Sequence, residues 1–248
     1  MSASLNKTII WLCIYAVAMG FLESAVVIYL RELYYPGGFQ FPLQIIPARI
    51  AKVEIFREAA TIIMLIGAAY LAGKTKLTRF AYFLIAFAVW DLFYYIFLYV
   101  FIQWPQSIFT WDILFLIPFP WTGPVIAPCL VAIGMTVFGI LILKFHEKQE
   151  VRITYSQWIL LLGGCFVIVL SFLSDYLNMV ALQNRSASLL SNEGLFEELK
   201  TYIPIKFDWF LFLIGFSSSC LGVILFSLQQ LRSNSTLKTI TYEMKHKI

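Results

Sequence analysis

Six apolar stretches, each longer than 20 residues, alternate with short polar segments along the chain. A helix needs about 20 apolar residues to cross the hydrocarbon core of a bilayer, so each stretch predicts one spanning helix. We therefore expect an all-α integral membrane protein, a bundle of six transmembrane helices forming one domain over residues 1–248. The predicted spans are 9–30, 52–73, 80–103, 121–143, 156–180 and 207–231.

The composition supports a membrane protein, with 60% hydrophobic and only 13% charged residues. A soluble domain has about 25% charged residues. The first apolar stretch runs into Arg31 and Glu32 without a small-residue cleavage site, which favours a retained helix over a signal peptide. The lipid bilayer is therefore the first expected partner.

The basic residues predict the orientation. With a cytoplasmic N-terminus, the cytoplasmic segments contain eleven of the 18 Lys and Arg residues and three of the 14 acids. This bias follows the positive-inside rule and places both termini in the cytoplasm, with the cell (inner) membrane as the expected location. The longer connections 31–51, 104–120 and 181–206 then lie on the outer side.

Two outer segments are predicted to lie at or in the membrane without crossing it. The segment near 105–120 is apolar but too short to span and is rich in proline, so we expect a re-entrant or interfacial segment; an aromatic belt at the interface is the alternative. Apolar positions near 192–203 recur with helical spacing, which predicts a short interfacial helix.

Charged residues inside the predicted spans are the main candidates for a functional site. Glu54, Arg57 and Glu58 have the spacing i, i+3, i+4, so they share one face of the second helix. An uncompensated charge near the bilayer centre costs about 2.5–3.5 kcal/mol on insertion scales, so such groups usually pair or line a cavity. Glu23 and Asp91 lie on the neighbouring first and third spans and are the expected partners of this face.

All of the intramembrane acids fall in the outer half of their spans or at mid-depth, which suggests a common cavity that opens outward. Tyr94 and Tyr95 follow Asp91 by one helical turn, so a phenol can lie beside its carboxyl. The alternative is that these charges only hold the helices together. The predicted binding residues are Glu23, Glu54, Arg57, Glu58, Asp91, Tyr94, Tyr95, Asp112, Asp175 and Asp208.

Several other chemistries lack their usual residues. The chain has only two histidines and four singly spaced cysteines, so we expect no metal site and no haem. The motifs GxGxxG, GxxxxGK[ST], HExxH and GxSxG do not occur. No cofactor is predicted, and the short basic tail is expected to contact anionic lipid rather than nucleic acid.

Three functions fit these features, of which the first is favoured, and the sequence leaves the oligomeric state open. The cavity could bind or transport a cation, a proton or an amine-bearing small molecule. It could serve a membrane-embedded acid-base enzyme with a lipid-soluble, isoprenoid-like substrate. The stretch 90–95 resembles the acid-plus-aromatic segments of small integral-membrane terpene cyclases, but no residue role is transferred from that resemblance. The third possibility is a structural subunit of a membrane complex.

Overall fold

Six long helices form the protein in a computed structural model, which describes residues 2–44, 46–117, 119–182 and 202–245. Each helix is long and apolar enough to cross a membrane, so the predicted class, a bundle of six transmembrane helices, is confirmed. The helices are α1 (Ala3–Tyr34), α2 (Ala48–Ala72), α3 (Lys76–Ile102), α4 (Ile126–His146), α5 (Tyr155–Leu182) and α6 (Trp209–Lys245).

Local sequence signals account for several of the helix ends. α2 begins directly after Pro47, which cannot donate a backbone hydrogen bond and is suited to a helix start. Thr75 and Thr78 form a reciprocal capping box at the start of α3. At the start of α6, the Asp208 carboxylate accepts a hydrogen bond of 2.9 Å from the Leu211 amide.

The second helix has its polar side inside and its apolar side outside. Glu54 and Glu58 are only 9% and 8% exposed, whereas Phe56 and Leu71 are 73% and 87% exposed. A water-soluble helix has the reverse arrangement. The exposed apolar side chains are the surface expected to contact lipid.

The third helix is the centre of one half of the bundle, where it packs against α1, α2 and α4. α5 and α6 form a close pair, and α4 connects this pair to the rest of the bundle by contacting α6. The Ser218 hydroxyl supports the close pair by donating to the Leu160 carbonyl of α5 over 3.1 Å. The arrangement leaves α1, α2 and α3 as the three helices that can enclose a common space.

The segment between α3 and α4 forms a small antiparallel β-hairpin with strands β1 (Trp111–Phe115) and β2 (Trp121–Pro124). The strands pair Asp112 with Gly123, and the ladder has an irregularity between Ile113 and Phe115. The hairpin occupies much of the predicted re-entrant or interfacial segment near 105–120. α4 therefore begins at Ile126, a few residues after the predicted start of the fourth span at 121. The interfacial helix predicted near 192–203 lies almost entirely outside the described residues.

A glycine permits the close approach of α1 and α3 beside the intramembrane acids. A Cβ atom built at Gly20 would lie 2.8 Å from the Trp90 carbonyl oxygen and 3.2 Å from the Tyr94 amide nitrogen. Both are backbone atoms of α3 and cannot rotate away. Any larger residue at this position must push the two helices apart.

We expect Gly20→Ala to lower the free energy of unfolding by about 1–3 kcal/mol, the usual cost of overpacking a tight contact. Gly67→Ala is the matched control, because nothing lies within 4 Å of a Cβ atom built at Gly67 in α2. This control should be neutral or slightly stabilising, since alanine is the better helix former. Thermal unfolding of the purified variants in detergent measures both effects, and equal stabilities would contradict the close contact.

Candidate functional site

A cavity of about 180 Å³ lies between α1, α2 and α3, at the end of the bundle that carries the hairpin. The hairpin and the connection between α1 and α2 contribute the rest of its wall. Eight of the ten residues predicted to form a site line this one cavity. They are Glu23, Glu54, Arg57, Glu58, Asp91, Tyr94, Tyr95 and Asp112.

Arg57 forms the centre of an ion-pair cluster between α1 and α2. Its Nε donates to Glu54 Oε2 over 2.8 Å, and its Nη1 donates to Glu23 Oε1 on the neighbouring helix. The second oxygen of Glu23 accepts a hydrogen bond of 3.3 Å from the Thr61 hydroxyl. The guanidinium is therefore shared by two carboxylates, and the three side chains together carry one net negative charge when ionised.

Glu58 connects the second helix to the hairpin. Its Oε2 accepts a hydrogen bond of 2.9 Å from the Leu116 backbone amide, directly after β1. No basic side chain of the described residues forms an ion pair with Glu58. Its carboxyl therefore holds the end of β1 in position and adds negative charge to the cavity when it is ionised.

A second ion pair, between Arg31 of α1 and Asp112 of β1, closes the cavity near the hairpin. The Arg31 Nη2 and Asp112 Oδ1 atoms are 3.3 Å apart, and the two residues are only 7% and 2% exposed. The guanidinium also lies 3.7 Å from the centre of the Trp104 ring and 4.4 Å from that of Phe39. Arg31 is thus held by a carboxylate and by two aromatic faces.

Asp91 differs from the other acids of the cavity because no group in the described part of the chain forms an ion pair or a hydrogen bond with its side chain. Its carboxyl accepts no hydrogen bond there and forms no ion pair, although it lines the cavity. Its neighbours on the wall are aromatic: Trp90, Tyr94 and Tyr95, the last two with ring centroids 4.8 Å apart. Asp91 is therefore an available carboxyl in aromatic surroundings.

Three buried polar atoms belong to residues that line the cavity and have no hydrogen-bond partner among the described residues. They are Arg31 Nη1, Trp90 Nε1 and Asp112 Oδ2. Leaving a buried donor or acceptor without a partner costs about 1–3 kcal/mol.

Asp175 and Asp208 have local partners and are not among the residues that line the cavity. Asp175 accepts a hydrogen bond of 2.7 Å from the Tyr202 hydroxyl, and its two oxygens also accept from the amides of Ile205 and Lys206. The Tyr202 oxygen lies 2.8 Å from Thr122 Oγ1 of β2, so Asp175 supports the hairpin from the side of α5. Asp208 caps the start of α6.

A larger cavity of about 460 Å³ adjoins the first one at Arg31. Arg31, Tyr35 and Phe39 line both cavities, so this group of side chains lies between them. The rest of the second cavity is formed mainly by the turn after α1 and the segment after α3. The ion pair of Arg31 with Asp112 is therefore at the boundary between the acidic cavity and an outer space.

Sequence reasoning did not assign Thr61, Trp104 or Phe39 to the site. Thr61 follows Arg57 by four residues, so the i, i+4 rule could have found it. Trp104 and Phe39 contact Arg31 through the tertiary arrangement of two connections, for which the sequence has no local signal. The absence of basic residues in the segment 104–120 does indicate that Asp112 needs a partner from elsewhere.

The fold defines a multi-pass membrane protein with a polar cavity at one end of its helix bundle. Comparison of the chain with protein-family models, with curated proteins and with solved structures finds no match. Among the described residues, no three His, Cys, Asp or Glu side chains are grouped so that they could hold a metal ion.

Proposed function

We infer that the cavity binds a small cation, and that the protein binds or transports a monovalent cation, a proton or an amine-bearing small molecule. The observation that carries this proposal is the Asp91 carboxyl, which has no partner in the described part of the chain and lies in a wall of negative net charge. Five acids and two arginines line the cavity, which gives a net charge of −3 when all are ionised. A cation entering the cavity relieves this repulsion, whereas an anion increases it.

The direction of the site follows from the distribution of basic residues. The cavity lies at the end of the bundle opposite the two short connections that join α2 to α3 and α4 to α5, where the segments 74–79 and 144–152 each carry three Lys or Arg residues. With the basic connections in the cytoplasm, the cavity opens outward and both termini lie inside the cell. The proposal includes this orientation, with the cell membrane as the location.

We expect a cation or amine that binds in the cavity to raise the melting temperature of the wild-type protein and to leave Asp91→Asn unchanged. At a ligand concentration 100 times the dissociation constant, binding stabilises by about 2.7 kcal/mol. The measurement is a thermal-shift screen of alkali cations and simple amines on purified protein in detergent. Asp208→Asn is the control, because it removes an acid outside the cavity and asparagine caps a helix equally well.

The outcome separates the proposed function from its alternatives. A ligand that stabilises wild type and Asp208→Asn but not Asp91→Asn supports the cation site. If Asp91→Asn together with Glu58→Gln leaves every response unchanged, the acidic cavity has no part in binding and the proposal fails. The inward direction of the acids already favours a binding site over a role as an assembly subunit, in which they would face a partner.

A membrane-embedded acid-base enzyme is the second candidate. The observation that favours it is that Asp91 and Glu58, two carboxyls without ion-pair partners among the described residues, line one cavity. General acid-base catalysis needs two such groups in different protonation states. Turnover in a lipid extract that is lost in both Asp91→Asn and Glu58→Gln would support this function over simple binding.

A further inference from the structure

We propose that the ligand of the cavity is an organic ammonium with an apolar, preferably aromatic body. This inference rests on the proposed function and names the ligand class of the same site. The ammonium binds Asp91, and the body packs against the aromatic wall formed by Trp90, Tyr94 and Tyr95.

The pairing of the acids leaves one carboxyl for a ligand. Glu23 and Glu54 share Arg57, Asp112 pairs with Arg31, and Glu58 accepts the Leu116 amide. Ca²⁺ and Mg²⁺ need six or more oxygen ligands, and the described residues offer no group of three metal-binding side chains. Asp91, the one cavity acid with neither an ion pair nor a hydrogen bond among the described residues, suits a single protonated amine.

The aromatic neighbours of Asp91 favour an organic cation over a bare ion. Trp90 and Tyr95 are each only 6% exposed, so the surface that they present to the cavity is enclosed by the bundle. Ammonium groups are attracted to the faces of Trp and Tyr, by about 0.5–1 kcal/mol at exposed sites and more where water is excluded. An alkali ion gains less from these rings, because it binds through several oxygen ligands, and most carboxylates of the cavity are engaged by arginines or by a backbone amide.

The cavity volume limits the size of the ligand. An engineered apolar protein cavity of about 150 Å³ binds benzene, which has six non-hydrogen atoms. The present cavity of about 180 Å³ is somewhat larger and shares Arg31, Tyr35 and Phe39 with the second cavity. A ligand of roughly six to ten non-hydrogen atoms therefore fits.

The test uses 2-amino-1-phenylethanol, which carries an ammonium, a hydroxyl and a phenyl ring. Its matched neutral probe is 1-phenyl-1,2-ethanediol, in which a hydroxyl replaces the amine. We expect isothermal titration calorimetry of the full chain in detergent at neutral pH to show binding of the amine and none of the diol. Asp91→Asn should weaken the amine by about tenfold or more, as expected for a lost hydrogen bond to a charged group. Trp90→Phe should weaken it less, while Asp208→Asn should bind like wild type.

The results test the ammonium assignment separately from the proposed function. Equal binding of the amine and the diol overturns the ammonium assignment without relying on any variant. Asp91-dependent binding of NaCl or CaCl₂, with no binding of the amine, also overturns it but keeps the cation cavity. If the amine and both salts fail to bind wild type, the proposed binding of a metal cation or an amine fails as well. The melting temperatures of the variants without ligand verify that each is folded.

Discussion

We expect replacement of Arg57 by methionine to lower the free energy of unfolding by about 3–5 kcal/mol, the range measured when one partner of a buried ion pair is removed. Methionine keeps most of the apolar stem but leaves the Glu23 and Glu54 carboxylates without their shared cation. Because these acids lie on different helices, the repulsion acts between α1 and α2. Thermal or denaturant unfolding in detergent measures the loss.

Two further variants separate the buried cluster from the general effect of losing an arginine. Arg152 pairs with Glu150 at the surface, where the two side chains are 80% and 78% exposed, so Arg152→Met should cost about 0–1 kcal/mol. Adding Glu23→Gln and Glu54→Gln to Arg57→Met should restore much of the stability, since the uncompensated charges are then gone. If the triple variant is less stable than Arg57→Met alone, the cluster is not held by charge.

Arg57 and Asp91 line the same cavity, but we expect Arg57 to stabilise the fold and Asp91 to bind the ligand. Arg57 is fully engaged by protein groups, so its replacement should damage the fold first and ligand binding as a consequence. Asp91 has no partner in the described part of the chain, so Asp91→Asn should leave the fold intact and change binding alone. A site that binds a cation needs both kinds of residue, because a preorganised wall keeps the free carboxyl from finding a partner of its own.

The helical part of the site was predictable because helix periodicity and insertion cost are local properties. The spacing of Glu54, Arg57 and Glu58 fixes their common face, and the cost of a charge in lipid requires that face to point inward. Glu23 and Asp91 then follow as the acids of the two neighbouring helices, Glu23 in the outer half of its span and Asp91 near the middle. This reasoning needs no knowledge of the loops.

The hairpin could not be predicted by the same reasoning. Its strands are four and five residues long and lie in a proline-rich apolar segment, where period-2 alternation is too short to recognise. Asp175 and Asp208 were predicted to join the cavity acids only because of their depth in the membrane. Asp208 directly precedes α6 and could have been recognised as an N-cap, but the partners of Asp175 depend on the fold of the distant segment around 202–206.

The second large effect is expected at Arg31. We expect Arg31→Met to destabilise the protein by about 3–5 kcal/mol at neutral pH, because Asp112 is left buried without its counter-ion. The variant also loses the contacts of the guanidinium with Trp104 and Phe39. The defect should be greatest at the hairpin, so hydrogen exchange of the β1 and β2 amides should increase more than that of α5 and α6.

This loss should depend on pH, which distinguishes it from a simple packing defect. Burial raises the pKa of Asp112 to about 6 from its ordinary value of 3.8, although Arg31 acts in the opposite direction. A carboxyl whose pKa is raised in the folded state contributes stability at low pH, and this contribution is lost as pH rises through the folded-state pKa. Without Arg31 the pKa of Asp112 rises further, so the loss of stability with rising pH extends above pH 6.

The stability of Arg31→Met should therefore be closest to that of wild type near about pH 5 and fall progressively below it toward about pH 8. Arg31→Met with Asp112→Asn should recover stability and lose this pH dependence. A deficit for Arg31→Met that is constant from pH 5 to 8 would show that packing against Trp104 and Phe39, and not the charge of Asp112, sets the stability of the hairpin.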